Sequence, residues 1–589
     1  MIPRRLCHLL VLALARHQLI FLLISNNNSI PLKVSGLQIQ FRGQSTKSED
    51  NGNENDYVYD NEKILSNSNS NKSKNQNCND KNDCDRDSDI DSDSDVPYSG
   101  LRDATATIDG TSIDGTAHPT YQMDMNMNMN NIPSISGPRR NHVVESFFAD
   151  TTSATGSRNS SSSNGNGNRT SSELLLQDVK QRANGIYDFL VYSRRFLHKH
   201  PELMYQEETT SAYVQKVLAD LDIPFTKGWA VNTNPDVIDG PGGFGVVADI
   251  GTGKPPCVLL RADMDALPIL ERTEGVNDFK SRNDGKMHAC GHDGHTTMLL
   301  GAASLLKSME DSINGTVRLM FQPAEEGGAG GKRMREEGVL TMHPAVQQAF
   351  GQHLWPTIPS GTIASRPGPL LAAYERFEIL VSGVGGHAAM PHQTIDPIVT
   401  ASNIVMSLQT IVSRNLSPLE SGVCSVTKFE AGDAYNVIPH SALLRGTIRA
   451  LSTETLLSLK DRVQHVVEST AAVHGCNVTI TYAPDFYPPT VNDPELFETF
   501  SKDVAALVAE DHKLTDIEPT MGAEDFSFLA EEIPSTFFLL GQGSGKSPDT
   551  SFGLHHPHFA LDESVLPRGV ELHVNVALRA LHKLAYDED

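Results

Sequence analysis

Cysteine, basic residues and long apolar runs are scarce in this chain of 589 residues. Its seven cysteines, spread over this length, exclude a disulfide-rich scaffold. The 48 Lys and Arg are outnumbered by 73 Asp and Glu, and the net charge of −25 argues against nucleic acid as a partner, because phosphate binding needs clustered basic side chains. No apolar run reaches about 18 residues, which argues against a stable membrane span. The remaining class is a soluble, acidic enzyme of roughly two to four domains.

Residues 1–30 have the composition of a targeting segment. Arg4 and Arg5 precede a short apolar stretch, and this order predicts a signal peptide that leads to the endoplasmic reticulum or the extracellular space. The absence of acidic residues before Glu49 also suits a transit peptide for a mitochondrion or plastid. A membrane anchor is the third alternative, and the polar break at Arg16–Gln18 argues against it.

Residues 31–171 form a low-complexity region that is rich in Asn, Ser, Asp and Gly. Such a composition buries too little apolar surface to offset the loss of chain entropy on folding. We therefore predict that this region is disordered and that the ordered part of the chain begins near residue 172.

Helices and strands alternate in the rest of the chain. Apolar residues at helical spacing predict a helix at Glu208–Leu221, and short apolar runs predict strands at Phe244–Ile250 and Cys257–Leu260. Alternation of this kind indicates an α/β fold. Residues 172–370 and 487–589 are therefore predicted to form the two parts of one catalytic domain.

A compact insert, residues 371–486, separates these two parts. Its predicted elements follow the order β-α-β-β-α-β of a ferredoxin-like unit. The strands are expected at Arg376–Val381, Gly422–Phe429, Ala442–Ala450 and Asn477–Tyr482, and the helices at Asp396–Arg414 and Thr453–His474. The pattern thus predicts an α/β domain interrupted by a smaller ferredoxin-like domain.

Residues of metal-binding type are concentrated at predicted strand ends. Three His, one Cys and one Asp fall within His288–His295, where a Cys-x-His pair places two donors in one turn. The other such segments are Asp263–Asp265, Glu325–Glu326, His353 and His555. Because ligands gather at strand ends in α/β sheets, we expect these segments to share one site. Each segment alone has an ordinary explanation, as a structural or a surface feature. Only the five segments together indicate a metal site.

Glu325 and Glu326 follow a strand-like run and precede two glycines. Adjacent side chains on an extended backbone point to opposite sides, so one carboxylate can bind metal while the other faces the substrate. A solvated surface pair is the alternative for two neighbouring acids. The strand before them and the glycines after them favour the functional interpretation.

These segments resemble, in type and order, those of the metallopeptidase-fold amidohydrolases, which include hippurate hydrolases, N-acyl-amino-acid hydrolases and plant indole-acetyl-amino-acid hydrolases. The resemblance extends from about Glu173 to Leu584. It is carried by His200–Leu203, Asp263–Pro268, Cys290–His295, Gln322–Gly327, Gly386–His392, Asn436–Pro439, Gly446–Arg449, Met521–Phe526 and His555–Pro557. It implies a mixed-sheet, zinc-peptidase-like catalytic domain, interrupted by a ferredoxin-like domain that serves as lid and as dimerisation domain of a homodimer.

The resemblance also implies the metal site. The ligands would be Cys290, His292, Glu326, His353 and His555, with one or two divalent ions, Mn²⁺ or Zn²⁺, in each subunit. Asp265 and Asp293 would support these ligands from behind, Asp265 by orienting an imidazole. Asp263 and Cys290 stand where peptidase-type relatives have a His and a bridging carboxylate. The chain therefore has the thiolate variant, which the family associates with hydrolysis of amide conjugates.

The catalytic roles implied by the resemblance fall on two residues. Glu325 would be the general base, which takes a proton from the attacking water and delivers it to the departing amine. Neutral His387, supplied by the second subunit of a dimer, would donate a hydrogen bond to the oxyanion. The alternative for His387 is an ordinary surface position on the lid.

Asn436 and Arg449 would bind the carboxylate of the substrate, since a guanidinium offers paired donors to that group. The alternative is that both residues merely tie the sheet together. The predicted activity is hydrolysis of small N-acyl amino acids, either hippurate-like or indole-acetyl conjugates, to a carboxylic acid and a free amino acid. A broad aminoacylase or dipeptidase, and a catalytically silent protein that binds such conjugates, are the alternatives, and Glu325 argues against the silent one.

Overall fold

The computed structural model describes residues 170–510, 512–515, 517–545 and 549–587, and the backbone of residues 33–34 and 37–38. The two short segments pair as antiparallel strands, β1 (Lys33–Val34) and β2 (Leu37–Gln38). The predicted targeting segment, residues 1–30, and nearly all of the predicted disordered region, residues 31–171, lie outside the described residues.

Helices and strands are mixed from Ser171 to Leu371, and they alternate strictly from Cys257–Asp263 to Gln348–Pro359. The helices are α1 (Ser171–Gly185), α2 (Tyr187–Lys199), α3 (Glu208–Asp220), α4 (His292–Ser308) and α5 (Gly330–Glu336). The strands are β3 (Phe225–Val231), β4 (Gly242–Gly251), β5 (Cys257–Asp263), β6 (Thr316–Gln322), β7 (Gln348–Pro359), β8 (Ile363–Ala364) and β9 (Gly368–Leu371). Helix α1 starts at a capping box, in which the Thr170 and Glu173 side chains each accept the other residue's N–H.

The insert contains the predicted elements in the predicted order, with one added pair of short strands. The main strands are β10 (Ala373–Ser382), β12 (Gly422–Glu430), β14 (Ser441–Ala450) and β15 (Asn477–Tyr482), the short pair is β11 (Gly386–His387) and β13 (Val437–Ile438), and the helices are α6 (Pro397–Thr410) and α7 (Thr453–His474). The Asp396 side chain caps α6, and Gly475 ends α7 with φ +77°. A π-helical turn at Ile411–Asn415 extends α6.

The chain then returns to the first part of the fold. The elements of this last part are β16 (Thr490–Asn492), α8 (Pro494–Leu496), α9 (Lys502–Ala509), β17 (Lys513–Leu514), α10 (Ser527–Ala530), β18 (Ser535–Gly543) and α11 (Leu566–Asp587). In the described part of the chain, no helix combines the length and the apolar composition needed to cross a membrane.

An eight-stranded mixed sheet combines strands from before and after the insert, in the order β17-β8-β18-β7-β5-β6-β4-β3. Strands β5, β6, β7 and β18 are mutually parallel, and β5 and β6 are buried along their whole length, as expected for central parallel strands. Alternate residues of β5 belong to different cores: Val258 and Leu260 pack with helix α4, whereas Cys257 and Leu259 pack with α5. The sheet is therefore covered by helices on both faces.

The insert forms a separate four-stranded antiparallel sheet, in the order β12-β14-β10-β15. Strand β10 alternates between buried and less buried residues, so it turns one face to helices α6 and α7. Its core is separate from the two cores of the large sheet and contains Phe377, Leu444 and Val463.

The two connections between the sheets lie side by side. Strand β9 pairs antiparallel with β16, so that Leu371 lies opposite Thr490. One step into the insert, the backbones of Tyr374 and Tyr487 exchange two hydrogen bonds of 2.9 Å each. The segment that leads into the insert and the segment that leads out of it are thus hydrogen-bonded to each other.

Candidate active site

The candidate site lies at the carboxyl ends of the parallel strands β5 and β6, beside β7. Asp263 ends β5, Glu325 and Glu326 follow β6, and His353 lies in β7. Helix α4 begins at His292, directly after a left-handed glycine. The parallel register brings these segments to one edge of the sheet, as the sequence predicts.

The donor atoms of the five predicted metal ligands come together. Those of Cys290, His292 and His353 lie within 4.8 Å of one another, and those of Cys290, Glu326 and His555 form a second such group. Cys290 Sγ is 3.4 Å from His353 Nε2. Glu326 Oε1 is 3.2 Å from His555 Nε2 and 4.0 Å from His292 Nε2. One thiol, three imidazoles and one carboxylate form a donor set suited to a zinc-like or manganese-like ion.

The rings of His292 and His353 are oriented for ligation. His292 Nδ1 lies 2.9 Å from the backbone oxygen of Asp265, and His353 Nδ1 lies 2.7 Å from that of Leu354. Because each Nδ1 donates to a carbonyl, each Nε2 presents a lone pair to the donor group. His292 Nε2 is buried without a hydrogen-bond partner among the described residues. Since buried polar atoms are rarely left in this state, this nitrogen fits a bound cation.

The charge around these donors also fits a cation. Burial lowers the pKa of His292, but the carboxylates of Asp263 and Asp265 outweigh that effect and raise the pKa to about 10. Burial and the carboxylate of Glu326 raise the pKa of the Cys290 thiol well above its usual range. A divalent cation among the donors would reverse both tendencies, because it favours a neutral imidazole and a thiolate.

The expectation that Glu325 and Glu326 point to opposite sides of an extended backbone is wrong. The chain turns after β6, where Ala324 has φ +59° and Gly327 has φ +112°. The turn brings both carboxylates within 4.8 Å of a ring nitrogen of His292. Alternation of side chains holds only for an extended strand, and this segment has left that conformation.

Buried carboxylates hold the backbone of this turn. The Asp265 carboxylate accepts the N–H of Glu325 at 3.0 Å and that of Glu326 at 2.9 Å. Glu207, which sequence reasoning missed, accepts the N–H of Ala324 at 2.8 Å. Asp265 therefore holds the His292 ring through its backbone oxygen and the two glutamates through its carboxylate, which is more than the predicted orientation of one imidazole. Glu207 begins a short run of acidic and hydroxyl residues, 207–211, and no Cys or His within that run marks it as part of a metal site.

A second missed residue, Arg261, organises the acids behind the site. Its buried guanidinium contacts four acceptors: Gln322 Oε1 at 2.9 Å and Asp263 Oδ2, Glu524 Oε1 and Asp525 Oδ1 at 2.8 Å each. Carboxylate oxygens of Glu325, Glu524 and Asp525 also lie within 4.8 Å of one another. Burial, then Glu524, raises the pKa of Glu325 well above its usual range.

His295 and Asp293 lie next to the ligand segment without joining the donors. His295 Nδ1 is 2.7 Å from Asp263 Oδ1, and its Nε2 accepts the Leu354 N–H at 2.8 Å, so both ring nitrogens are engaged. Asp293 contacts Arg194 Nε at 3.0 Å and His198 Nδ1 at 2.8 Å. Burial opposes ionisation, but Arg194 and His198 hold the pKa of Asp293 below its usual range. Within the described chain, Asp293 makes no hydrogen bond to the five donors, so any support it gives them is indirect.

His387 and Asn436 lie on the insert, outside the donor groups. They are neighbours on the short β11–β13 ladder, where His387 pairs with Val437 and the Asn436 oxygen accepts the Ala388 N–H at 3.0 Å. Both residues are exposed. His387 Nδ1 accepts the N–H of Ala389 at 3.1 Å, which leaves Nε2 directed away from this turn.

Arg449 lies at the other end of the insert. It is opposite Tyr374 on β10, stacks 4.5 Å above the Tyr374 ring, and donates from Nη1 to the Met521 oxygen at 2.6 Å. Ser441, near Asn436, begins the same strand, and eight residues of strand span about 26 Å. Asn436 and Arg449 of one subunit therefore cannot bind the same carboxylate.

The chain was compared with known protein families and with individual relatives. A model of Peptidase family M20/M25/M40 matches residues 259–579, more than half of the chain. The chain is 44% identical over 407 residues to the IAA-amino acid hydrolase ILR1-like 4 of Arabidopsis thaliana, which covers 68% of this chain and 88% of the relative. It is 37% identical over 401 residues to the N-acetylcysteine deacetylase of Bacillus subtilis, with 67% and 97% covered.

A third relative and a solved structure are also similar to this chain. The thermostable carboxypeptidase 1 of Saccharolobus solfataricus is 38% identical over 412 residues, with 69% of this chain and 100% of the relative covered. Among solved structures, the Bacillus subtilis YXEP protein, a dinuclear metal binding peptidase from the M20 family, matches with a TM-score of 0.54 and 33% identity. That match covers 68% of this chain and 99% of the YXEP chain. The region matched by the family model contains all five converging donors.

Proposed function

This chain belongs to peptidase family M20/M25/M40, and we propose that it is a metal-dependent amidohydrolase that cleaves N-acyl amino acids to a carboxylic acid and a free amino acid. The observation that carries the proposal is the convergence of five donors, with Glu325 beside them. A protein that only bound conjugates would have no use for a second carboxylate, able to accept a proton, next to its cation. The relatives named for IAA-amino acid and N-acetylcysteine hydrolysis support this activity.

The chain's own residues supply the proton transfers. Water adds to the amide carbonyl carbon and the C–N bond then breaks, so one proton must move from the water to the amine nitrogen. Glu325 takes that proton and delivers it, because its carboxylate lies beside the donors without being one of the five ligands. When bound, a divalent cation, Mn²⁺ or Zn²⁺, polarises the carbonyl and lowers the pKa of water. This cation would be held by the five donors Cys290, His292, Glu326, His353 and His555.

The substrate class is tested with the purified full chain and added Mn²⁺ or Zn²⁺. Hippurate, N-acetylcysteine, an indole-acetyl amino acid and a dipeptide are offered in parallel, and the released amine is quantified. We expect the N-acyl amino acids to be cleaved faster than the dipeptide. Faster cleavage of the dipeptide would favour the broad aminoacylase or dipeptidase alternative, to which the similarity to a carboxypeptidase gives some support. Substrate binding without any cleavage would favour the silent binder.

A homodimer formed through the insert is the second part of the proposal. Helix α6 exposes Ile398, Val399 and Met406, and β12, at the edge of its sheet, exposes Phe429. Exposed apolar side chains beside an unpaired strand edge are surfaces that a second copy can cover. Residues 371–486 then form the lid and dimerisation domain between the catalytic parts 172–370 and 487–589.

In such a dimer, His387 of one subunit completes the site of the other by donating a hydrogen bond to the oxyanion. Its exposed position away from the donors of its own chain supports this arrangement. Mixing the inactive variants Glu325→Gln and His387→Ala, after dissociation and reassociation, should restore about one quarter of wild-type activity, because half of the dimers then contain one complete site.

The control for this complementation is each variant mixed with itself, which should remain inactive. If His387 acts within its own chain, no mixed dimer contains a complete site. Absence of any recovery, with mixed dimers demonstrated by mass spectrometry, would contradict the exchange of His387 between subunits.

Arg449 binds the substrate carboxylate in this proposal, together with Asn436 from the second subunit. Among the described residues only the Met521 oxygen accepts from its guanidinium, through Nη1. We expect Arg449→Lys to raise KM for an N-acyl amino acid by about 10- to 100-fold, because a bidentate charged contact of roughly 1.5–3 kcal/mol is lost. The corresponding amino acid amide, which lacks the carboxylate, is the control substrate and should be affected little. An equal effect on both substrates would indicate that Arg449 only ties the insert to Met521.

We also propose that residues 1–30 direct the chain into the secretory pathway, to the endoplasmic reticulum or the extracellular space. Arg4, Arg5 and the apolar stretch after them support this location. Fluorescence microscopy of the tagged full chain, compared with a chain lacking residues 1–30, tests it. Mitochondrial or plastid fluorescence of the full chain would favour the transit-peptide alternative.

A further inference from the structure

The Tyr487 side chain, where the chain leaves the insert, contacts the turn that carries Glu325. Its hydroxyl donates to the Glu325 oxygen at 2.7 Å. It also accepts the N–H groups of Gly327 at 3.1 Å and Ala329 at 2.9 Å. A phenol has one donor and two acceptor positions, and this turn uses all of them.

The turn held in this way has an unusual backbone. Ala324, Gly327 and Ala329 have φ values of +59°, +112° and +56°. Left-handed conformations at non-glycine residues are sparsely populated and persist only when surrounding contacts enforce them. Tyr487 contacts two of these three residues. The position of the Glu325 carboxylate therefore depends on contacts made from outside the turn.

The backbone of Tyr487 is at the same time part of the connection to the insert. It exchanges two hydrogen bonds with Tyr374, the second residue of β10, and the two rings meet edge to face with centroids 6.2 Å apart. The Tyr374 ring in turn lies under the Arg449 guanidinium. Tyr487 is thus attached by its backbone to the insert and by its side chain to the Glu325 turn.

We infer that Tyr487 is a positioning residue, which couples the connection of the insert to the placement of Glu325 through the three hydrogen bonds of its phenol. The inference rests on the proposed function, because it assigns Glu325 the proton transfers. Tyr487 itself is neither one of the five donors nor one of the residues predicted to bind the substrate, Asn436 and Arg449. A shift of the insert moves Tyr487, and with it the backbone of the Glu325–Ala329 turn.

Tyr487→Phe removes the hydroxyl and keeps the ring, so it tests the inference with little change in packing. We expect kcat to fall about 10- to 100-fold, because a misplacement of a reacting group by about 1 Å can cost about 100-fold in rate. KM and the bound metal per subunit, measured by elemental analysis, should remain those of the wild type. Hydrogen–deuterium exchange should accelerate at the amides of Gly327 and Ala329.

Tyr213→Phe is the matched control. Tyr213 is also buried, and its hydroxyl bonds to Ser193 Oγ at 2.8 Å on helices away from the turn. It should lose comparable thermal stability and keep wild-type kcat and turn exchange. A kcat of Tyr487→Phe within twofold of wild type, or equal losses in both variants, would overturn the inference.

The exchange measurement separates this inference from the proposed function. If the wild-type protein hydrolyses none of the substrates, the proposed function fails, and exchange at Gly327 and Ala329 still decides whether Tyr487 holds the turn. The wild type alone gives a further test, since both amides must exchange slowly. Fast exchange at Ala329 in the folded wild-type protein would overturn the inference without any variant.

Discussion

Glu325→Gln should reduce kcat for N-acyl amino acids by about 10²- to 10⁴-fold, the range expected when a general base is removed. The substitution keeps the shape of the side chain but removes its ability to take a proton. The backbone contacts of Glu325 to Asp265 and Tyr487 remain, because the main chain makes them. Folding, bound metal and KM should therefore stay near wild-type values.

The measurement combines release of free amine with elemental analysis and thermal unfolding on the same preparations. Glu495→Gln is the control, since Glu495 is an exposed residue of α8 and the substitution makes the same change of side chain. Its kcat should equal that of the wild type. Activity of Glu325→Gln within a few-fold of wild type would refute the assignment of Glu325 as the base, even if the metal site is correct.

His292→Ala should abolish both metal binding and hydrolysis. His292 Nε2 lies close to Glu326 and belongs to the same donor group as Cys290 and His353. Removing it should lower activity to below about a thousandth of the wild type, because the cation that polarises the carbonyl is lost. The wild type should gain about 2.7 kcal/mol of unfolding free energy at a metal concentration of 100 times Kd, whereas His292→Ala should gain little.

His556→Ala provides the comparison for this second prediction. His556 is an exposed imidazole next to His555, and it stacks on Phe552 with ring centroids 4.6 Å apart. It lies outside the donor groups, so its loss should leave metal content and activity unchanged. If His292→Ala retains a full complement of metal and wild-type activity, the five donors are not the catalytic metal site.

The sequence alone predicts most of the elements, because helices and strands depend on local patterns, whereas the resemblance to the family implies the set of five donors. Thr453–His474 and Asn477–Tyr482 agree residue for residue with the predicted helix and strand, since apolar spacing and the end residues Ser452 and Gly475 define them. Cys290 and His292 are recognisable because a Cys-x-His pair constrains two donors in one turn. Their convergence with His353 then follows from the parallel register of the strands.

Contacts between distant segments could not be predicted in the same way. Arg261 meets Asp525 across 264 positions of sequence, and Tyr487 meets Glu325 across 162. Neither pairing has a periodicity or a motif that marks it. The turn at Glu325 was predicted wrongly for a related reason, because the left-handed conformation of Ala324 is enforced by its surroundings and not by its own residue type.

The predicted pairing of Asn436 with Arg449 illustrates that contacts between subunits cannot be inferred from the sequence of one chain. Both residues lie in segments that resemble the family, but strand β14 separates them within a subunit. In the proposed dimer, a second copy brings its Asn436 to the Arg449 of the first. A sequence defines which side chains are available, whereas the symmetry of an assembly decides which of them meet.

The central claim is that five donors from distant parts of the chain bind the catalytic cation. Anomalous diffraction from crystals of the Mn²⁺-loaded full chain, recorded on both sides of the manganese absorption edge, tests it most directly. We expect a peak within about 2–2.5 Å of Cys290 Sγ, His292 Nε2, Glu326, His353 or His555, with all five shared between one or two ions. A protein that hydrolyses N-acyl amino acids while its manganese peak lies away from these donors would contradict it.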